Sequence, residues 1–159
     1  THTHTHTHSH SFPSLSLCKC KSLHALSWQA VRALVIGVNN YKHYSTLKNA
    51  VRDATAVSHM LKAKGVHVFD AYNCTKKELG KIINAFLASL QPDDAALIYF
   101  AGHGCEYNNA NRLMLISESE ESMIQEDSLN VLALIIRFAR CQVVTVIANY
   151  LKFMHTDLS

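Results

Sequence analysis

The stretch that decides the fold is Ala95-Ala96-Leu97-Ile98-Tyr99-Phe100-Ala101-Gly102-His103-Gly104-Cys105-Glu106. Its first part is a continuous apolar run that is too short for a helix and is typical of a strand buried on both faces of a parallel sheet. The run breaks at Gly102-His103-Gly104, which predicts a tight turn with the imidazole standing clear at the strand's carboxyl end. Open α/β sheets build their sites at that edge. On these residues alone, a turn that happens to contain a histidine is the alternative.

The segments on either side of this stretch alternate between strand and helix patterns. Before it lie a β-branched apolar run, an amphipathic segment, a short apolar run and a second amphipathic segment that opens on a capping box. After it come an acidic stretch, a helix that Ser128 would cap, and a last apolar run. The predicted elements are strands at 33–38, 66–69, 95–101 and 143–147 and helices at 47–63, 75–90 and 129–139. This alternation predicts an α/β fold with a parallel sheet and right-handed crossovers.

The bulk composition is that of one globular domain. The chain has 159 residues, of which 48% are hydrophobic and 17% charged, and its formal net charge is +3. The small, scattered positive charge indicates no nucleic-acid partner, and no apolar run approaches the ~20 residues that span a bilayer. The five cysteines are irregularly spaced, make no disulfide framework and favour a reducing, cytoplasmic setting.

No cofactor or metal ion is expected. No glycine-rich phosphate-binding motif follows Val35-Ile36-Gly37, which argues against a nucleotide-binding domain. Cys18-Lys19-Cys20 lacks the spacing and the second ligand pair of a zinc site. The alternating Thr1–His10 tract is either a weak metal-binding tail or, as we interpret it, low-complexity sequence that can bury nothing. Residues 1–30 are therefore predicted to be disordered, and the folded domain to span 31–159.

Three motifs in this order resemble one protein family. Arg32–Tyr41, Leu47–Ala54 and Tyr99–Glu106 look like the large-subunit half of the caspase superfamily, in the pattern of the paracaspases and metacaspases. The resemblance covers residues 32–116 well and 128–153 loosely. It implies a three-layer caspase-like fold with a mostly parallel central sheet, cysteine endopeptidase activity and a polypeptide substrate.

The resemblance also implies roles for individual residues. His103 matches the catalytic histidine, Gly104 belongs to the loop whose N–H groups face the oxyanion, and Asp53 matches the acidic residue that binds a basic P1 side chain. The chemistry fits these roles, since an imidazole can hold a thiolate and protonate the leaving amine. Backbone N–H groups can stabilise an oxyanion, and a carboxylate selects arginine or lysine. Without the resemblance, Asp53 is equally well interpreted as a solvated helix residue.

The expected nucleophile is missing from its position. The family places its cysteine at the end of the fourth strand, where this chain has Ile147-Ala148-Asn149-Tyr150-Leu151-Lys152-Phe153. Tyr150 stands where the cysteine is expected, and a phenol with a pKa of about 10 is no peptidase nucleophile. Cys105, next to His103, and Cys141, ahead of the fourth strand, are badly placed to replace it. The domain is therefore expected to be inactive as a peptidase.

The chain is also expected to be incomplete after about its fourth strand, because the family continues with two more. A strand left at the edge of a sheet offers unpaired backbone groups to another chain. The alternative function is therefore a non-catalytic pseudoprotease that binds a protein partner, as a homo- or heterodimer through that edge strand.

Overall fold

The computed structural model of the chain describes residues 31–91, 94–117 and 124–138, and the backbone of 143–155. Residues 1–30, which were predicted to be low-complexity, lie outside the described residues. Cys141 and most of the acidic stretch lie outside them as well. The predicted domain boundaries, 31–159, therefore stay a prediction.

Six strands and three helices make up the described part of the chain. In chain order they are β1 (Val31–Gly37), α1 (Ala50–Ala63), β2 (His67–Tyr72), α2 (Lys76–Ser89), β3 (Ala95–Tyr107), β4 (Ala110–Met114), β5 (Ser128–Asn130), α3 (Val131–Arg137) and β6 (Val143–His155).

The strands form one sheet in which β3 is central. β1 pairs in parallel with β2 on one side and with β3 on the other, and β6 pairs in parallel with the opposite edge of β3. β4 folds back antiparallel on the end of β3, and β5 pairs antiparallel with β4. This topology confirms the expected α/β fold with a mostly parallel central sheet.

Helices cover both faces of this sheet. In β1, Leu34 and Ile36 belong to a core cluster that includes Phe86 of α2. Ala33 and Val35 belong to a second cluster with α1, on the other face, because successive strand side chains point in opposite directions. The three layers that the resemblance implied are therefore present, with α1 on one face and α2 and α3 on the other.

The predicted turn at Gly102-His103-Gly104 is wrong. β3 continues through these residues to Tyr107, because β6 pairs with it on one side and β4 pairs with it from Gly104 onward on the other. The chain reverses only at Asn108 and Asn109, whose φ angles of 51° and 54° are those that a two-residue hairpin turn requires. The Asn-Asn pair is the signal from which this hairpin could have been predicted.

The third helix begins later than predicted. α3 starts at Val131, and Asn130 caps it by accepting the Ala133 N–H at 3.0 Å. Ser128, the predicted cap, belongs to β5, where its hydroxyl accepts a 2.6 Å hydrogen bond from Arg112. Serine and asparagine both favour the N-cap position, so the pattern alone did not distinguish them.

The hairpin turn yields a stability prediction. Asn109→Gly should raise the free energy of unfolding by about 0.5 kcal/mol and Asn109→Ala should lower it by about 1 kcal/mol, since only glycine adopts a positive φ without steric cost. Urea denaturation measures both changes in the free energy of unfolding, provided that the m-values of the variants are equal. Asn111→Ala, on an exposed β4 residue, is the matched control and should change little. Equal losses for Asn109→Ala and Asn111→Ala would contradict the turn assignment.

A largely buried ion pair joins the amino ends of β1 and β3. Arg32 Nε donates to Asp94 Oδ2 at 2.6 Å, and the same oxygen accepts the Gln91 N–H at 2.8 Å. Burial alone would raise the pKa of Asp94, but the Gln91 N–H and the Arg32 guanidinium outweigh burial and hold that pKa below its ordinary value. The folded state therefore favours the ionised carboxylate.

This ion pair predicts a loss of stability in acid. A carboxyl whose pKa falls on folding stabilises the protein above its unfolded pKa of about 4, and that stabilisation is lost as the pH drops through the folded pKa. Asp94→Asn should cost about 2 kcal/mol at neutral pH, and the difference from the unsubstituted chain should shrink below about pH 4. Asp70→Asn, which breaks the more exposed Lys62–Asp70 pair, is the control and should cost under about 1 kcal/mol. A pH-independent Asp94→Asn difference in urea titrations would contradict this account.

Candidate active site

The candidate site lies where the carboxyl ends of the parallel strands meet. β1 pairs with β3 as far as Gly37 and Ala101, and the Val38 N–H then donates to the Ala101 carbonyl at 2.9 Å. His103 follows on β3, just past that last pair. α/β sheets bind their ligands at this edge, where the sequence placed the histidine.

The imidazole of His103 is held by main chain on one side and by an aromatic ring on another. Its Nε2 lies 2.7 Å from the carbonyl oxygen of Ser45, and because a carbonyl only accepts, Nε2 carries the proton. Nδ1 is buried without a hydrogen-bond partner in the described part of the chain. The Tyr41 ring lies 4.5 Å from the imidazole, centroid to centroid. The residue is fully buried, so the expectation that the imidazole stands clear is wrong.

The loop that carries Ser45, residues 38–49, is fastened by asparagine side chains. Asn39 Oδ1 accepts the Val51 N–H at 3.0 Å, which satisfies a donor in the first turn of α1. Asn73, at the end of β2, accepts the N–H groups of Asn39 and Asn40 at 2.8 and 3.2 Å. The sequence indicated a loop here, but it gave no sign that these amides tie the loop to its neighbour and so position the Ser45 carbonyl.

Gly104 lies within the sheet and not in a loop. Its main chain pairs with Leu113 of β4 on one side and with Phe153 of β6 on the other. The expectation of a Gly-His-Gly loop around an oxyanion therefore does not match the backbone, which is a strand here. An oxyanion role for Gly104 stays a prediction, and any N–H that it offers belongs to a rigid strand.

The backbone register places Tyr150 beside the histidine. β6 runs parallel to β3 with Tyr150 opposite Gly102 and Lys152 opposite His103, and the register shifts between these two pairs. The shift leaves one more residue on β6 than on β3, which is the count of a β-bulge. The two positions that the sequence analysis paired, 103 and 150, therefore lie on adjacent strands at the same edge of the sheet.

Asp53 lies in the first turn of α1, at the same end of the sheet. α1 approaches β1 closely at Gly37, where an added Cβ would fall 2.7 Å from the Ala54 Cβ. The Asp53 carboxylate is about one third exposed and lies 3.8 Å from the Nε of exposed Arg52. A carboxylate with this exposure can accept a basic side chain, and its assignment to substrate binding stays a prediction.

Neither of the described thiols is an activated nucleophile. Cys105 is fully buried, and its thiol donates to the Met114 sulfur at 3.3 Å. Burial raises the pKa of Cys105, although the positive charge of Arg112 opposes this shift. Cys74 donates to the Tyr72 carbonyl at 3.5 Å, and its pKa is also raised, by burial. A thiol with a raised pKa is a poor nucleophile at neutral pH.

Among the residues that the structure describes, no group of three or more His, Cys, Asp or Glu side chains could hold a metal ion. Within that part of the chain, no helix has the length and apolar character needed to cross a membrane.

Comparison with known proteins agrees with the fold just described. Part of the human protein called mucosa-associated lymphoid tissue lymphoma translocation protein 1 is 31% identical over 83 residues, which are 52% of this chain and 10% of that protein. This match supports the paracaspase relationship that the motifs indicated.

Two solved structures share the fold. A Geobacter sulfurreducens protein superposes with a TM-score of 0.56 at 18% identity, over 74% of this chain and 48% of that one. The Drosophila initiator caspase Dronc superposes with a TM-score of 0.53 at 10% identity, over 84% of this chain and 54% of that one. The chain spans about half the length of these structures and a tenth of the human protein.

The match to a protein-family model establishes the family to which the chain belongs. The model of the caspase domain, peptidase family C14, matches residues 30–143, which is more than half of the chain. That match contains β1, the loop with Ser45, α1 and the whole of β3 with His103. The chain belongs to the caspase family.

Proposed function

We propose that this chain is a caspase-family domain that keeps the proton-accepting half of a cysteine peptidase site but does not cleave peptides. The observation that supports the proposal is the register of β6, in which Tyr150, and not a cysteine, pairs with Gly102, the residue before His103. A phenol is mostly protonated at neutral pH because its pKa is about 10, so it offers almost no anion to attack a peptide carbonyl.

The surroundings of His103 are those that a general base needs. With the Nε2 proton directed at the Ser45 carbonyl, Nδ1 is the ring nitrogen that has no partner among the described residues and is the proposed proton acceptor. In a cysteine peptidase, such a nitrogen takes the thiol proton and later gives it to the leaving amine. In this proposal His103 is that base, and the thiol that would supply the proton is absent from the sequence of β6.

The proposal assigns no nucleophilic role to Cys105 or Cys141. Cys105 points its proton at a methionine sulfur in the core. Cys141 lies outside the described residues, and in sequence it precedes Val143, which pairs with Ala95 at the opposite end of β3. From Val143 to Tyr150 the strand extends about 23 Å at 3.3 Å per residue, so that end of β6 lies far from the imidazole.

The function that remains is binding. The edge of the sheet would receive a polypeptide with an arginine or lysine side chain at Asp53, the partly exposed carboxylate of α1. A second candidate, favoured by the topology, is strand addition: β6 pairs with β3 along one edge, and among the described strands no other pairs with it. A partner chain that adds to β6, as a homo- or heterodimer in the cytoplasm, would satisfy its outer backbone groups.

The first test is turnover. The purified chain should cleave a fluorogenic peptide with arginine at P1 no faster than buffer does, with an active caspase-family peptidase of the same basic preference as positive control. The expected result is no measurable kcat/KM, because the nucleophile is absent. Turnover that disappears in the His103→Ala variant would overturn the proposal.

The second test places a thiol at the position of the phenol. Tyr150→Cys should create a thiol that reacts with iodoacetamide near pH 6 at least about tenfold faster than in the Tyr150→Cys/His103→Ala double variant, because an adjacent imidazolium lowers a thiol pKa. Peptide-resolved mass spectrometry separates the introduced thiol from the native cysteines, and buried Cys105 is the internal control. Equal alkylation rates of the introduced thiol in both variants would show that position 150 does not face the imidazole.

A further inference from the structure

A gap in the sheet lies beside His103, on the side of β3 that faces β1 and β4. β1 pairs with β3 as far as Ala101, and β4 pairs with it only from Gly104 onward. Neither strand therefore pairs with Gly102 or His103. A buried backbone N–H needs an acceptor, so the N–H of fully buried His103 has to find one outside these two strands.

The hydroxyl of Tyr41 fills this gap. It accepts the His103 N–H at 2.9 Å and donates its own proton to the Met114 carbonyl at 3.4 Å. Met114 ends β4 and directly follows Leu113, which pairs with Gly104. One side-chain oxygen thus joins β3 to β4 where the main chains do not pair.

Gly102 is the residue that leaves room for this oxygen. A Cβ at position 102 would fall 2.6 Å from the Tyr41 hydroxyl and 2.7 Å from Cζ of Phe100. Glycine is therefore required at position 102 because the Tyr41 side chain approaches its backbone closely. The strand conformation of Gly102 would by itself allow other residues.

The rest of Tyr41 acts on the imidazole. Its ring lies 4.5 Å from the His103 ring at an interplanar angle of 52°, while the Ser45 carbonyl holds Nε2 on another side. Burial raises the pKa of the Tyr41 phenol, although the hydrogen bond from the His103 N–H opposes this, so the phenol keeps the proton that it donates to Met114. Main chain and side chain of His103 are thus both fixed by one tyrosine.

We propose that Tyr41 is the positioning residue of His103. Its hydroxyl closes the gap between β1 and β4, and its ring holds the imidazole in the orientation in which Nε2 meets the Ser45 carbonyl. In that orientation Nδ1 has no hydrogen-bond partner among the described residues. The inference rests on the proposed role of His103 as proton acceptor. It depends neither on the residue at position 150 nor on any turnover. A chain that cleaves peptides would therefore contradict the proposed function without contradicting this inference.

The test follows the imidazole directly by nitrogen NMR in the full chain labelled with ¹⁵N-histidine. In the unsubstituted chain the His103 side chain should show one tautomer, with its proton on Nε2. Tyr41→Phe keeps the ring but releases the His103 main chain, so the imidazole should no longer be held against the Ser45 carbonyl and a second tautomer should appear. The His103 amide should also exchange with solvent at least about tenfold faster, because its acceptor is gone.

Tyr72→Phe is the matched control. It removes a hydroxyl that donates to Asp70 at 2.8 Å on β2, away from His103, and so reports the general effect of losing a tyrosine hydrogen bond. A Tyr41→Phe chain whose His103 tautomer and amide exchange match those of Tyr72→Phe would overturn the proposal. If Tyr41→Phe does not fold, the unsubstituted chain decides: a His103 amide that exchanges as fast as an exposed amide would equally overturn it.

Discussion

The parallel pairing of β3 with β1 and β6 is the constraint on which the site depends. β1 stops at Gly37 while β3 continues to Tyr107, so the carboxyl edge of the sheet is stepped and His103 lies on the part of β3 that extends past β1. Backbone groups there must find partners outside the β1 ladder. The loop after β1, the antiparallel β4 and the parallel β6 supply them, which is why elements distant in sequence converge around one histidine.

The early end of β1 also explains why the Tyr41 hydroxyl can contact both β3 and β4. Tyr41 follows β1 closely, so the register that ends β1 also delivers the phenol to the unpaired part of β3. The amides of Asn39 and Asn73 hold the same loop against α1 and the end of β2. The residues of the loop after β1 therefore set the position and orientation of the His103 imidazole. The geometry of that loop depends on the residue at which β1 stops pairing with β3.

Much of this could be predicted from sequence, because strand and helix periods are local properties. The apolar run from Ala95 and the capping box at Thr75 and Glu78 predicted elements that the structure confirms. The course of Gly102-His103-Gly104 could not be predicted in the same way, because glycines favour turns in isolation and only pairing with β4 and β6 keeps them extended. The need for glycine at 102 arises from Tyr41, a contact between residues far apart in sequence that no local pattern contains.

The contacts that orient His103 bear on the proposed function, in which the histidine persists without a nucleophile. The described contacts that orient His103 come from the loop between β1 and α1: the Ser45 carbonyl, the Tyr41 hydroxyl and the rings of Tyr41 and Tyr44. None of these contacts is made by the β6 backbone, which is the part of β6 that the structure describes. In the proposed function, a tyrosine at position 150 therefore removes the nucleophile and leaves these contacts of the histidine in place. An edge of this kind would keep the shape with which it is proposed to meet a polypeptide.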